Sequence, residues 1–148
     1  MMRNLFALTA LLLVQTLSAQ NENRLLIGTW EPIGSEKHLR VQVYENQRGQ
    51  IEGRVIEAGA DIAGFENGVT AGNSRIITGF RHTGAYIWKE GEITDPEDGD
   101  VYTGKITLMH STKIEVRAYW GIFSKTQEWR KVTPTVNTQQ GIASAAHR

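Results

Sequence analysis

Apolar residues return at every second position through most of this chain, and this alternation constrains its fold more than any other feature. Between residues 101 and 109, Tyr102, Ile106 and Leu108 share one face, whereas Thr103 and Lys105 share the other. Such alternation is typical of strands with one buried face, and no 3.6-residue pattern after residue 19 runs long enough for a substantial helix. The pattern predicts eight strands: Ile27–Glu31, His38–Glu45, Ile51–Glu57, Ser74–Arg81, Ala85–Glu92, Val101–Met109, Lys113–Tyr119 and Lys125–Val132.

Short turns join most of these strands, including Gln47–Gly49, Thr83-Gly84, Asp95–Gly99 and His110-Ser111. Eight sequential antiparallel strands can close as an up-and-down barrel, which leaves no exposed strand edge. A two-sheet sandwich would use the same strands, but it usually needs longer crossing connections. We therefore expect an all-β, eight-stranded antiparallel barrel.

One connection is long. The segment Ala58–Asn73 contains four glycines together with Ile62 and Phe65, apolar residues that a solvated loop does not need. Two interpretations stay open: a lid over the barrel mouth, or a packed loop that plugs one end. Its glycines match no phosphate-binding spacing.

The first 19 residues are typical of a secretory signal. Arg3 precedes an apolar stretch, Leu5–Leu17, and the small residues Ser18 and Ala19 follow. A membrane anchor is disfavoured, because a spanning helix needs about 20 apolar residues. We expect a signal peptide over 1–19, a barrel domain over 20–133 and a disordered polar tail over 134–148, with export to the periplasm or the extracellular space.

Composition limits the partners. Sixteen basic and sixteen acidic residues give no net charge, so the chain lacks the basic surface that nucleic acid binding requires. There is no Cys, hence no disulfide and no thiol chemistry. The length after cleavage suits one domain. We expect a monomer with no cofactor, no nucleic acid partner and no stable membrane insertion.

Motifs for catalysis or metal binding are weak. Five carboxylates fall between Glu92 and Asp100, but their register differs from that of a Ca²⁺ loop, so Asp95 is expected to accept backbone N–H groups in a turn with Asp98-Gly99 at its corner. His38, His82 and His110 are expected in surface turns. No Ser has the context of a nucleophile. We predict no enzyme and no metal site, while a carboxylate pair formed only in three dimensions would support a hydrolase.

The best candidate ligand-binding residues are Phe80, Tyr102, Gln127 and Trp129. Tyr102 shares the apolar face of its strand, and Gln127 and Trp129 share one face of the last strand. An aromatic wall with one polar anchor would suit a small ligand, and an aromatic core with one satisfied amide would use the same residues. Arg54 and Arg117 fall opposite the apolar face, so they are expected outside, where they could pair with Glu52 or Glu115, or bind a partner.

Gly28-Thr29-Trp30 resembles the G-x-W opening of the lipocalin superfamily. In that superfamily the Trp closes the barrel floor, and a basic residue from the last strand lies across its ring. A cation over an indole contributes about 0.5–2 kcal/mol. The resemblance implies a lipocalin or calycin type of barrel, with Trp30 buried near Arg130 or Lys131.

The chain also resembles an exported bacterial family known as domain of unknown function 2147. The shared motifs are Gly28-x-Trp30, Gly53-Arg54-Val55, Gly79-Phe80, Trp88, Gly91-Glu92-Ile93, Asp95-Pro96-Glu97-x-Gly99, Tyr102, Val116-Arg117, Tyr119-x-Gly121 and Thr126-Gln127-x-Trp129. The chain departs from the family in the long loop, where Asn73-Ser74-Arg75-Ile76 lacks Pro, and at Lys131, which replaces an Arg. The resemblance implies export and a lipocalin-like barrel, and no assigned activity.

Three functions remain for such a chain. The first is a carrier that binds a small apolar or amphipathic molecule in the cell envelope. The second is a structural or interaction module with a filled barrel, and the third is a hydrolase. A cavity of a few hundred Å³ would favour the carrier, since ligand pockets generally measure about 300–1,000 Å³.

Overall fold

The computed structural model describes residues 19–60, 62 and 74–134. Within them eight antiparallel strands follow one another around a closed barrel, in which the last strand pairs with the first. The strands are β1 Gly28–Pro32, β2 Leu39–Glu45, β3 Ile51–Ala58, β4 Arg75–Gly84, β5 Ile87–Thr94, β6 Val101–His110, β7 Lys113–Trp120 and β8 Phe123–Lys131. The predicted eight-stranded up-and-down barrel is confirmed.

The turn between β4 and β5 lies two residues later than the sequence predicts. Ala85 and Tyr86 form it, with φ angles of 51° and 61°, whereas Gly84 belongs to β4. Positive φ at both central residues is typical of the two-residue hairpin turns that match the strand twist. Sequence reasoning placed the turn at Thr83-Gly84, because glycine adopts positive φ without the steric cost that Ala and Tyr bear here.

The side chains on the inner face of the strands form one core. Its fully buried members include Trp30, Val41, Val43, Ile51, Ile77, Phe80, Trp88, Ile106 and Ile114. The alternation in the sequence therefore identifies the inward side of β2, β3, β6 and β7 correctly. It does not extend to β4, where the adjacent residues Ile76 and Ile77 are both buried. Arg54 and Arg117 lie outside as predicted: Arg117 pairs with Glu115 at 3.2 Å, whereas Arg54 donates to Gln42 Oε1.

Trp30 and Lys131 close one end of the barrel. Trp30 is fully buried, and Lys131 Nζ lies 5.3 Å from the centre of its ring. Gly28 leaves room for the Lys131 side chain, because a Cβ there would stand 2.7 Å from Lys131 Cε. Burial lowers the pKa of the Lys131 ammonium, whose Nζ donates to Leu25 O at 3.1 Å. The predicted barrel floor is confirmed, with Lys131 rather than Arg130 over the ring.

A helix of eight residues, 19–26, lies beneath this floor. Its buried Asn23 accepts a hydrogen bond from Trp88 Nε1 at 2.7 Å and donates to Gly49 O at 3.1 Å. Sequence analysis missed this helix, because only Asn23 and Leu26 of its residues are buried and so the apolar pattern is too short. In the described part of the chain, no helix has the length and apolar character needed to cross a membrane.

The helix also corrects the expectation for His82. Its imidazole bonds to the Glu22 carboxylate of the helix, and its side chain is only 11 % exposed. The ring stands edge-on to Trp88, with 5.3 Å between the ring centres. His82 is therefore covered by a segment that the alternation does not locate, instead of lying free in a surface turn.

Candidate functional site

The opposite end of the barrel holds a cavity of about 460 Å³. It lies between the inner faces of the strands and beneath the loops that join β1 to β2 and β5 to β6. The apolar wall of the cavity is formed by Pro32, Leu39, Ile62, Ile76, Ile93, Val116 and Ala118. The aromatic wall is formed by Tyr102, Trp120 and Trp129. The polar lining consists of Ser35, Lys37, Thr94, Asp95, Glu97, Lys125 and Gln127, with Pro96 beside them.

Three of the four residues singled out from the sequence line this cavity: Tyr102, Gln127 and Trp129. Phe80 does not appear among the lining residues. It is fully buried over two glycines, Gly91 and Gly104, whose missing side chains make room for its ring. A Cβ at Gly91 would stand 2.2 Å from Phe80, and one at Gly104 would stand 2.7 Å from it. Phe80 thus fills the core next to the cavity.

The inner face of β8 gives the cavity a polar side. Lys125, Gln127 and Trp129 lie along it at alternate positions, and all three line the cavity. Gln127 Nε2 donates to Ile33 O at 2.9 Å and to Glu128 O at 3.1 Å, so the side chain ties β8 to the loop after β1. Gln127 therefore lines the cavity, and its two hydrogen bonds hold its side chain in place; its role as a polar anchor for a ligand stays a prediction.

Trp129 has a buried N–H without a partner. The residue is only 6 % exposed, and among the described residues nothing accepts a hydrogen bond from its Nε1. The two other buried indoles are satisfied, Trp30 by Leu26 O at 2.8 Å and Trp88 by Asn23. A buried donor without an acceptor is unfavourable by about 1–3 kcal/mol. Trp129 therefore lines the cavity with its ring, while its N–H is a buried donor without an acceptor among the described residues.

Trp120 is a wall residue that sequence analysis missed. It lies at the end of β7 and packs against Tyr102, with 5.7 Å between the ring centres. Its parity with Ile114 and Val116 on the same strand could have revealed it, had the strand been extended by one residue. Burial, and then the negative charge of Asp100, raise the pKa of the Tyr102 hydroxyl, so this phenol is neutral at physiological pH.

Charged residues surround the mouth of the cavity. Lys37, from the loop after β1, forms an ion pair with Glu97, from the turn after β5, so that one contact bridges two separate loops. Asp95 accepts a hydrogen bond from Glu97 N at 2.8 Å, as predicted for this turn. Burial, followed by the charge of Asp98, raises the pKa of Asp95.

The carboxylates near the site have structural partners. On the outer side of the mouth a cleft of about 310 Å³ contains Glu31, which pairs with Arg40 and Arg130. The hydrogen bond from Arg130 outweighs burial and lowers the pKa of Glu31, so this carboxylate is a weak general base. Among the described residues, no group of three or more His, Asp or Glu side chains could hold a metal ion.

The long loop contributes one described residue to the cavity. Ile62 is 1 % exposed and lines the wall, and its N–H donates to Gly59 O at 3.1 Å. Residue 61 and residues 63–73 of the predicted lid or plug, Phe65 among them, lie outside the described residues. The expected apolar contact between this loop and the barrel mouth is therefore present at Ile62.

Comparisons with known proteins agree with this architecture. A family model described as "Uncharacterized protein conserved in bacteria (DUF2147)" matches residues 28–131. A solved structure described as "Protein HP1028 from the human pathogen Helicobacter pylori belongs to the lipocalin family" is similar to this chain with a TM-score of 0.55 and 16% sequence identity, over 74% of this chain and 84% of the other. No curated protein matches the sequence. The structural likeness shows a lipocalin-like fold.

Proposed function

This chain belongs to the DUF2147 family of uncharacterized bacterial proteins, and we propose that it is an exported, non-catalytic carrier whose barrel binds one small amphipathic or apolar molecule in the cell envelope. The observation that carries the proposal is the cavity of about 460 Å³, which lies within the usual size range of ligand pockets. The signal-like first 19 residues support export.

The distribution of polarity in the cavity supports an amphipathic ligand. Leu39, Ile76 and Val116 provide an apolar wall, and burying a ligand's hydrocarbon against them is favourable by about 25 cal/mol per Å². Lys125 and Gln127 provide a polar side along β8. A ligand with a hydrocarbon body and a hydrogen-bonding group would match both surfaces.

The cavity also favours a carrier over a module with a filled barrel. Trp30 and Trp88 fill the end of the interior that the N-terminal helix covers, and Phe80 fills the core next to the cavity. The other end of the interior is less filled, because its large side chains, Tyr102, Trp120 and Trp129, line the cavity. Catalysis is not part of the proposal, since Asp95 stabilises its own turn and Glu97 pairs with Lys37.

The test uses Nile red, an uncharged apolar dye, and the protein purified after export. We expect dye binding to quench tryptophan fluorescence and to raise the melting temperature, because a ligand that binds only the native state stabilises it by mass action. Ala118→Trp fills the cavity and should weaken binding at least ten-fold. Thr103→Trp, on the exposed outer face, is the matched control and should bind like the wild type.

Native mass spectrometry of the protein from its own envelope should show a retained small molecule. If neither Nile red nor long-chain alcohols and acids change the fluorescence or the melting temperature at saturating concentration, the carrier proposal fails. The interaction module with a filled barrel would then replace it.

A further inference from the structure

The turn between β7 and β8 exposes three large apolar side chains to water. Trp120 is 43% exposed, Ile122 95% and Phe123 61%. We call these three residues the apolar tip. Turn residues are usually small or polar, and clustered apolar side chains at a surface are typical of a site that contacts another apolar phase.

The apolar tip is continuous with the mouth of the cavity. Trp120 itself lines the cavity and packs against Tyr102, and Val101 beside Tyr102 is 56% exposed. Lys125 follows the tip on β8 and lies at the polar side of the cavity. A molecule that leaves the cavity past Trp120 would therefore reach the apolar tip before it reached open water.

The size of the tip argues against a second copy of the chain as its partner. At about 150–250 Å² for a large side chain, the exposed fractions of these three residues amount to roughly 400 Å². A stable protein interface needs about 800 Å² on each partner. A lipid surface has no such threshold, because side chains insert into it singly.

The composition of the tip suits the membrane interface. Tryptophan is enriched at the level of the lipid headgroups, where its ring is partly apolar and partly hydrogen-bonded. No charged residue occurs from Tyr119 to Ser124, and Lys125 follows. The neighbouring turn after β5 is acidic, with Asp98 and Asp100 exposed. A lipid surface without net charge therefore suits the uncharged tip and the acidic turn better than an anionic lipid surface does.

We propose that the apolar tip docks on zwitterionic lipid bilayers, so that the cavity mouth faces the headgroup region and the ligand passes between bilayer and barrel without crossing bulk water. The second half of this inference rests on the proposed carrier function. The docking itself depends only on Trp120, Ile122 and Phe123.

The experiment is flotation with phosphatidylcholine vesicles, using the protein purified after export. The double variant Ile122→Ser/Phe123→Ser removes the two most exposed residues of the tip, and neither of them lines the cavity. The control Ile56→Ser/Met109→Ser removes two apolar side chains that are 43% and 53% exposed and lie away from the tip. The tip variant should lose at least ten-fold in vesicle-bound fraction, and the control should match the wild type. Adding phosphatidylglycerol should not increase binding.

Ligand transfer separates this inference from the carrier function. The transfer rate of Nile red from vesicles to the wild type should rise with vesicle concentration, and the tip variant should lose this dependence while its affinity for the dye stays within two-fold. If the wild-type protein binds to none of the vesicles, the docking is overturned and the carrier function is not affected. The same holds if the control variant loses as much vesicle binding as the tip variant. Self-association that the tip variant abolishes would also overturn the docking, in favour of a second copy. Flotation without dye binding overturns the carrier function, and with it the passage of ligand, but leaves the docking in place.

Discussion

Trp88 and Trp129 both have buried indole rings on the inside of the barrel, but their N–H groups differ in hydrogen bonding. Trp88 donates to Asn23, whereas Trp129 Nε1 has no acceptor among the described residues. The difference does not arise from their own strands, since both side chains point inward. It arises from the N-terminal helix, which supplies a side-chain acceptor at the closed end.

Substituting each of these two residues by phenylalanine measures that difference. Both changes remove a similar volume, but only Trp88→Phe breaks a hydrogen bond and leaves the Asn23 carbonyl buried without a donor. We expect Trp129→Phe to lower the free energy of unfolding by about 1–3 kcal/mol less than Trp88→Phe does. Urea denaturation of both variants measures this, and equal losses would show that the Trp129 N–H is satisfied in solution.

At the scale of elements, the barrel depends on two segments that are not strands. The N-terminal helix seals the floor through Asn23, which connects Trp88 to Gly49. The turn after β5 forms one lip of the mouth through Asp95, which accepts from Glu97 N. Each contact replaces a hydrogen bond to water by one inside the protein.

Asn23→Ala should detach the helix from the floor. The substitution leaves Trp88 Nε1 and Gly49 O without their partners, and we expect the free energy of unfolding to fall by about 2–4 kcal/mol. Asn21→Ala, at an exposed position of the same helix, is the matched control and should be neutral. Hydrogen exchange should show faster exchange of the Trp88 indole in the first variant only. A neutral Asn23→Ala would mean that the helix does not stabilise the barrel.

Asp95→Ala should destabilise the turn. By analogy with the loss of a helix cap, we expect a loss of about 0.5–2 kcal/mol, measured by calorimetry. Asp95→Asn keeps the acceptor oxygen and removes a charge whose burial is unfavourable, so its stability should equal or exceed that of the wild type. Ca²⁺ binding tighter than millimolar that Asp95→Ala abolishes would contradict the structural role and indicate a metal site.

At the scale of the whole molecule, the buried Glu52 and the half-buried Glu57 link stability to pH. Burial by itself would raise the pKa of Glu52, but the hydrogen bonds from Asn46 and Tyr44 and the Arg75 guanidinium together outweigh it and lower this pKa below its usual 4.5. His38 lowers the pKa of Glu57, also against burial. Lowered carboxyl pKa values mean that the unfolded chain binds more protons, so the stability they contribute is complete above pH 4.5 and is lost as the pH falls through the folded-state values.

The barrel should therefore lose stability below about pH 4.5, the usual pKa of these glutamates. Asp95 acts in the opposite direction, because its raised pKa makes stability fall as the pH rises past its unfolded value of 3.8. Urea denaturation midpoints between pH 3 and pH 7 measure the sum of these opposing contributions to stability. In Glu52→Gln, the loss of stability on the acid side should be smaller than in the wild type. Stability that stays constant from pH 7 to pH 3 would show that these pairs are not maintained in solution.

The sequence by itself determined the strands and the inward faces of β2, β3, β6 and β7. A strand's side-chain period is two, so parity alone separates Tyr102 and Trp129 from Arg54 and Arg117. The G-x-W resemblance predicts a basic residue of the last strand over the Trp30 ring, and the structure selects Lys131 over Arg130. Local chemistry also sufficed for Asp95, whose acceptor role involves residues next to it in the chain.

Only the tertiary structure decided which inward residues meet a cavity and which meet the core. Phe80 and Trp129 both point inward, but Phe80 lies against Gly91 and Gly104, whereas Trp129 lines the cavity. Parity tells whether a side chain points inward, and it does not tell its height along the barrel axis. That height depends on the stagger of neighbouring strands, which the register shifts between β3 and β4 and between β4 and β5 change.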